Sequence, residues 1–123
     1  MTRPAEPPKT TPGSKLVAEA RVSVILTVRN EEANLGHLLD SLVNQAGLLE
    51  VILVDAESTD RTVAIAQSYH TKFPSLKILV RTCRRGEGRN LGAKEASGDL
   101  LAFIDGDCIA NTFWLRRILA AWD

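Results

Sequence analysis

Between Arg21 and Ile104, short runs rich in Val, Ile and Leu alternate with stretches whose apolar residues recur at helical spacing, and this alternation limits the possible folds more than any other feature. Arg21–Val28 reads as a buried strand. Leu35, Leu38, Leu39, Leu42 and Val43 share one helical face, which predicts an amphipathic helix over Glu31–Asn44 with Gly47 as its stop signal. Val51–Val54, between Glu50 and Asp55, is a second strand. Asp60 is placed to cap a helix running to Tyr69, with Val63, Ala66 and Tyr69 turned inward. Leu76–Val80 is a third strand after Pro74. Gly88–Ser97 predicts a small-residue helix closed by Gly98, and Leu100–Ile104 a fourth strand. Asn111 then caps a helix in which Trp114, Leu115, Ile118, Leu119 and Trp122 form one face, read here as core packing. Such alternation implies an α/β fold: an open, mostly parallel sheet with helices on both faces.

Sheets of this kind bind ligands beyond the carboxyl ends of their strands, where strand order reverses. The polar residues gather at those ends: Arg29, Asn30 and Glu31 after the first strand, Asp55 and Glu57 after the second, Asp105 and Asp107 after the fourth. Asp105-Gly106-Asp107 is the most pointed of these groups, because two carboxylates so close repel each other unless a cation lies between them. Hard ions such as Mg²⁺ or Mn²⁺ take carboxylate oxygens and share them with phosphates. Asp-Gly is also a turn signal, so an acidic turn closing a hairpin is the alternative. Charged ends on three strands of one rim favour a site for a metal-bound phosphate ester.

Composition narrows the remaining classes. The chain has 123 residues, enough for one domain with a real core. Its 15 acidic and 15 basic residues cancel, so no global field favours nucleic acid. No apolar run approaches the ~20 residues that span a bilayer. Residues 1–20 are expected to be a disordered leader, with four prolines between Met1 and Ser14. Cys83 and Cys108 lack metal-site spacing and read as unpaired thiols of a reducing cytoplasm. His37 and His70 read as solvated.

Four segments, taken together, resemble the signatures of family-2 glycosyltransferases with the GT-A fold. Val22–Glu32 resembles the family's opening strand and Val54–Thr62 its second signature. Gly86-Glu87-Gly88-Arg89-Asn90-Leu91-Gly92-Ala93 resembles the third, and Phe103–Asp107 the Asp-x-Asp metal motif. The resemblance implies strand order 3-2-1-4, with Thr27 and Asp105 ending neighbouring strands, and residues 21–123 as the nucleotide-sugar-binding half. It implies that Asp55 accepts a hydrogen bond from the nucleotide base, with Thr27 and Arg29 lining the base and ribose pocket. Glu32 could touch the same pocket or be a favourable charge in a first helical turn. Arg89, near the start of a helix opened by two glycines, could hold phosphate or be an ordinary surface residue. Asp107 would bind Mn²⁺ or Mg²⁺ directly, and Asp105 the ribose or the metal through water. Arg84-Arg85 could help hold a diphosphate or a lipid-phosphate acceptor, or be a solvated turn.

The sequence departs from the pattern at Ala56, where many members carry a second Asp, and at Arg29, where an aromatic is common. Guanidinium stacking could replace ring stacking there. The glycine cluster is no dinucleotide fingerprint, since it follows the third strand with G-x-G-x-x-x-G spacing. The implied activity is metal-assisted, inverting transfer of a sugar from a UDP- or GDP-linked donor to a glycan or lipid-linked acceptor, in cell-envelope polysaccharide synthesis. The location implied is the cytoplasm or the cytoplasmic face of the membrane. The catalytic base is expected beyond Asp123, so a donor-binding module without turnover is the alternative. Self-association through the Trp114–Trp122 face is a further expectation.

Overall fold

The computed structural model describes residues 20–122. The leader expected over residues 1–20 lies outside that range except for Ala20, which is buried in the core. The elements are β1 (Val22–Val28), α1 (Leu35–Leu42), β2 (Leu48–Asp55), α2 (Thr62–Gln67), β3 (Leu76–Val80), α3 (Arg85–Glu95), β4 (Leu100–Asp105) and α4 (Trp114–Trp122). The strands form one parallel sheet in the order β3-β2-β1-β4. This is the open α/β sheet, and the strand order, that the sequence led us to expect.

The central strand β1 sends alternate side chains into two layers. Val22, Val24, Leu26 and Val28 join Leu35, Leu38, Leu39 and Leu42 of α1, Ala66 of α2, and Leu115 and Leu119 of α4 in the main core. Ile25 and Thr27 turn the other way, toward α3. There the helix is thin. A Cβ at Gly88 would stand 2.5 Å from Thr27 Cγ2, and one at Gly92 would stand 2.5 Å from Ile25 Cγ2. The two glycines lie one turn apart on one face, and they let the helix backbone settle directly on β1.

That packing corrects the third helix expected from sequence. It begins at Arg85 rather than Gly88, so the glycines lie inside it rather than opening it. Glu87 Oε1 accepts the Arg84 N–H at 2.7 Å and fixes the helix start. The first helix also starts later than expected. Asn30 has φ 51°, and the Glu31 carbonyl accepts the N–H groups of Asn34 and Leu35 at 3.0 and 2.8 Å. Residues 31–34 thus form a turn, and α1 begins at Leu35. Asp60 and Asn111 act as caps, their carboxylate and amide oxygens each accepting at 2.9 Å from Thr62 N–H and Phe113 N–H. Gln45 ties α4 to α1: its amide donates to Ser41 O and Asn111 O and accepts the Leu115 N–H at 3.1 Å. On α4, Leu115 and Leu119 are buried, while Trp114, Ile118 and Trp122 are half-buried against the core. No helix among the described residues is long and apolar enough to cross a membrane.

At the opposite end of the sheet from the charged rim, Glu50 is buried at 2% exposure. Its Oε2 accepts from the Ser23 hydroxyl at 2.6 Å and from the Ser97 N–H and hydroxyl at 2.7 and 3.0 Å, and Lys77 Nζ lies 3.5 Å from Oε1. Burial pushes the Glu50 pKa up; the hydrogen bonds from Ser23 and Ser97, with the charge of Lys77, more than reverse this and leave it below the ordinary 4.5. Because the folded-state value is the lower one, the ionised carboxyl stabilises the fold fully above about 4.5 and the contribution is lost as pH falls through the folded value. Glu50→Ala should therefore cost about 1–3 kcal/mol at neutral pH through the donors it strands. The deficit relative to wild type should shrink on acidification, which urea titrations across pH 3–7 would measure; a deficit independent of pH would refute the role given to its charge.

Candidate functional site at the carboxyl ends of the strands

The strand register brings Thr27 of β1 between Val54 of β2 and Asp105 of β4. This is where strand order reverses, with β2 on one side of β1 and β4 on the other. Two cavities open at this rim. One, of about 340 Å³, is lined by Thr27, Val28, Arg29, Glu31, Ala56, Cys83, Arg84 and Arg85. The other, of about 370 Å³, is lined by Arg89, Phe103, Ile104, Asp105, Cys108, Ile109, Ala110, Asn111 and Trp114.

In the first cavity, Thr27 Oγ1 is buried and has no hydrogen-bond partner, the only such side-chain atom among the described residues. A buried hydroxyl without a partner is costly and marks a place where a ligand can complete the bonding. Arg29, Arg84 and Arg85 all line this cavity. Cys83 also lines it; burial raises its thiol pKa, and the carboxylates of Glu87, Asp55 and Glu57 add to the rise, which keeps the thiol neutral.

Two residues expected in this pocket are not among those lining the cavity. Asp55 is fully buried behind the exposed wall, and its carboxylate accepts the Ser58 N–H at 2.8 Å and the Ser58 hydroxyl at 2.6 Å. It is Ala56 that reaches the cavity. Asp55 here fastens the turn after β2, so Asp55→Ala should destabilise the chain by about 1.5–3 kcal/mol, the worth of hydrogen bonds to a charged group. Ser58→Ala should move the denaturation midpoint in the same direction. If Asp55→Ala left the midpoint unchanged but weakened nucleotide binding, the base-contact reading would return.

Glu32 also turns away. Its Oε1 accepts the Arg61 N–H at 2.9 Å and its own N–H donates to Asp60 Oδ2 at 3.2 Å. Since α1 starts only at Leu35, Glu32 lies in no first helical turn either. Glu31 lines the cavity instead, and among the described residues its carboxylate has a single hydrogen bond, a long 3.3 Å one from Asn34 Nδ2. The difference between these adjacent glutamates comes from the left-handed Asn30, which swings the following residue inward. No periodicity in the sequence announces that.

On the β4 side, Asp105 and Asp107 stand at the end of the strand. Asp105 is paired with Arg89, whose Nη2 lies 3.5 Å from Oδ1; both side chains are about half exposed (48% and 45%), so the pair is weak. Arg89 sits one turn inside α3, so the uncapped N–H groups of the helix start are not beside it. Gly106 is buried, and a Cβ there would stand 2.8 Å from Val28 Cγ1 and 3.0 Å from Glu31 Cγ. This close approach seats the acidic turn against the stem of Glu31 and joins the two cavities into one rim. Ligand atoms of Asp105, Asp107 and Cys108 all lie within 4.8 Å of one another, which is a donor set that fits a divalent ion. The sequence spacing gave no sign of Cys108, or of Trp114 and Ile109 beside it.

Comparison with known proteins agrees with this fold. The family model for glycosyl transferase family 2 matches residues 23–123. The chain is 39% identical over 101 residues to glycosyltransferase AglE of Haloferax volcanii, covering 78% of this chain and 33% of that protein. It therefore spans about a third of that relative's length. Among solved structures, Staphylococcus aureus TarS in complex with UDP-GlcNAc superposes with a TM-score of 0.73 at 33% identity, over 81% of this chain and 30% of that one. The mannosyltransferase PcManGT of Pyrobaculum calidifontis, in complex with GDP-Man and Mn²⁺, gives a TM-score of 0.66 at 29% identity, over 74% of this chain and 28% of that one. With its parallel sheet, its Asp-Gly-Asp turn at the switch point and a family match across residues 23–123, the chain belongs to glycosyl transferase family 2.

Proposed function

We propose that residues 21–123 form the nucleotide-sugar-binding half of a metal-assisted, inverting glycosyltransferase. The observation that carries this is the rim itself: an orphaned Thr27 hydroxyl and a lightly bonded Glu31 on one side, and the Asp105–Asp107 pair on the other, joined through Gly106. The complexes of TarS with UDP-GlcNAc and of PcManGT with GDP-Man and Mn²⁺ support a nucleoside diphosphate sugar and a divalent ion as the ligands.

On this reading the nucleoside occupies the Thr27 cavity. Glu31 accepts from base or ribose donors, and the Arg29 guanidinium stacks on the base. Arg84, Arg85 and Arg89 offer positive charge to the diphosphate from both cavities. Asp107 is the direct metal ligand, Asp105 binds ribose or the metal through water, and Mn²⁺ or Mg²⁺ fits either set. A divalent ion held there stabilises charge on the departing diphosphate as a Lewis acid. The described residues then bind and orient the donor. The acceptor, a glycan or lipid-linked saccharide of the cell envelope, and the general base that deprotonates it are assigned to no residue here.

A thermal-shift screen of UDP, GDP and their sugars, each with and without Mn²⁺, tests the assignment. At ~100 times its dissociation constant a donor should add about 2.7 kcal/mol of stability, with most of that dependent on the metal. A chain that no nucleotide stabilises, in either metal condition, would sink it.

A further inference from the structure

We propose that Arg89 is a stand-in cation at the end of β4: it holds Asp105 in the unliganded chain, yields to a divalent ion, and is thereby freed for the diphosphate. Metal and nucleotide then assist each other's binding through one side chain. The proposal rests on the reading of Asp105 and Asp107 as the residues that face the ion.

Gly88 sets Arg89 in place. A Cβ on Gly88 would come within 2.5 Å of Thr27 Cγ2, and Thr27 is the registry partner of Asp105 on β4. The residue after Gly88 is therefore delivered to the end of β4, where Arg89 Nη2 reaches Asp105 Oδ1 at 3.5 Å. Both side chains border the same cavity of about 370 Å³. The guanidinium groups of Arg29, Arg84 and Arg85 line the neighbouring cavity, and none of them makes an ion pair among the described residues. Arg89 differs from them in being tied to a carboxylate across the rim.

The contact is easily opened. It is one long contact rather than a bidentate clamp, and both side chains are about half exposed, so solvent screens it and the fold gains little from it. A divalent ion brings a higher charge to the carboxylate that the guanidinium holds. Like charges at that range repel, and the guanidinium gives way. Once free, it presents a planar fork of N–H donors that matches phosphate oxygens. Breaking the contact costs the same whichever ligand does it, so the first ligand to arrive spares the second that cost. By linkage the gain is equal in both directions.

Mn²⁺ binding to the full 123-residue chain, followed by the paramagnetic resonance of the free ion, tests this. Without nucleotide, Arg89→Gln should bind Mn²⁺ more tightly than wild type by up to ~5-fold, the most that an exposed ion pair contributes. An Arg89 with a purely structural role would leave the affinity unchanged or lower it. Asp105→Asn removes the contact from its other side, so adding Arg89→Gln to it should change nothing, whereas a general effect of lost positive charge would persist in the double variant. UDP and GDP should raise the Mn²⁺ affinity of wild type, and that factor should shrink by up to ~5-fold in Arg89→Gln. Wild-type Mn²⁺ binding that Arg89→Gln leaves unchanged or weakens would overturn the proposal and leave the donor-site reading standing. So would a gain that survives in the Asp105→Asn background, or Mn²⁺ uptake that needs nucleotide in wild type and Arg89→Gln alike. Mn²⁺ binding that Asp107→Asn leaves at its wild-type value, or no Mn²⁺ binding in any variant with or without nucleotide, removes both readings.

Discussion

Gly92→Val should destabilise the chain by about 3 kcal/mol or more, beyond the usual 1–3 kcal/mol of an overpacked core. The first atom it adds would already stand 2.5 Å from Ile25 Cγ2, and Ile25 is 1% exposed on the central strand, with paired strands on either side. Nothing at that contact is a flexible side-chain end in open space. Gly92→Ala sets the same clash against the ~1 kcal/mol that alanine gains over glycine in a helix, and the clash should still prevail. Gly86→Ala should do the reverse and stabilise by up to ~1 kcal/mol, because a Cβ there meets nothing within 4 Å. Urea denaturation of the three variants decides the matter through opposite signs. Equal effects at Gly86 and Gly92 would mean that α3 does not rest on β1 as described.

Asp107→Asn should remove most of the metal-dependent stabilisation by nucleotide while leaving the unliganded fold close to wild type. The side chain is exposed at the end of the turn, so the substitution removes a charge without opening a cavity. At saturating donor the loss approaches the ~2.7 kcal/mol expected at 100 times the dissociation constant. For a domain of this size each kcal/mol moves Tm by roughly 4–8 °C, which a thermal-shift assay resolves readily. A mutant that keeps the wild-type response to Mn²⁺ would break the link between the acidic turn and the metal.

The sheet was legible in the sequence because its signals are redundant. Buried β1 and β2 are dense in Val, Ile and Leu, and the turn residues between elements fall where the chain must reverse. Thr27 and Asp105 could be placed side by side before any coordinate was known, since the resemblance implied the strand order. What stayed hidden depends on single backbone angles and on depth. Whether Asp55 or Ala56 lines the cavity is a matter of which residue the pleat turns outward at the strand's last step, and Glu57 with φ 57° bends the chain just beyond it. Glu31 and Glu32 are alike in sequence, yet Glu31 lines the cavity while Glu32 accepts from Arg61, just after the left-handed Asn30. The glycines of α3 looked like a phosphate loop because a glycine needed for close packing and one needed for a turn are spelled the same way.

The loops after β1 and β2 are stitched together crosswise. Asn30 N–H donates to Ser58 Oγ and Asn30 Oδ1 accepts the Thr59 N–H, each at 2.8 Å. Glu31 N–H donates to Thr62 Oγ1 at 2.9 Å, and Glu32 exchanges bonds with Asp60 and Arg61 at 3.2 and 2.9 Å. Two segments almost thirty positions apart in sequence therefore move as one body, in the manner of a cooperative unit that opens together or not at all. Their amides should exchange with solvent at a common, slow rate set by that joint opening. The Thr27 side of the rim is thus ordered in the chain alone, and little rotational freedom is left there to lose on binding. The acidic turn and the exposed residues that follow it have no such cross-stitching among the described residues.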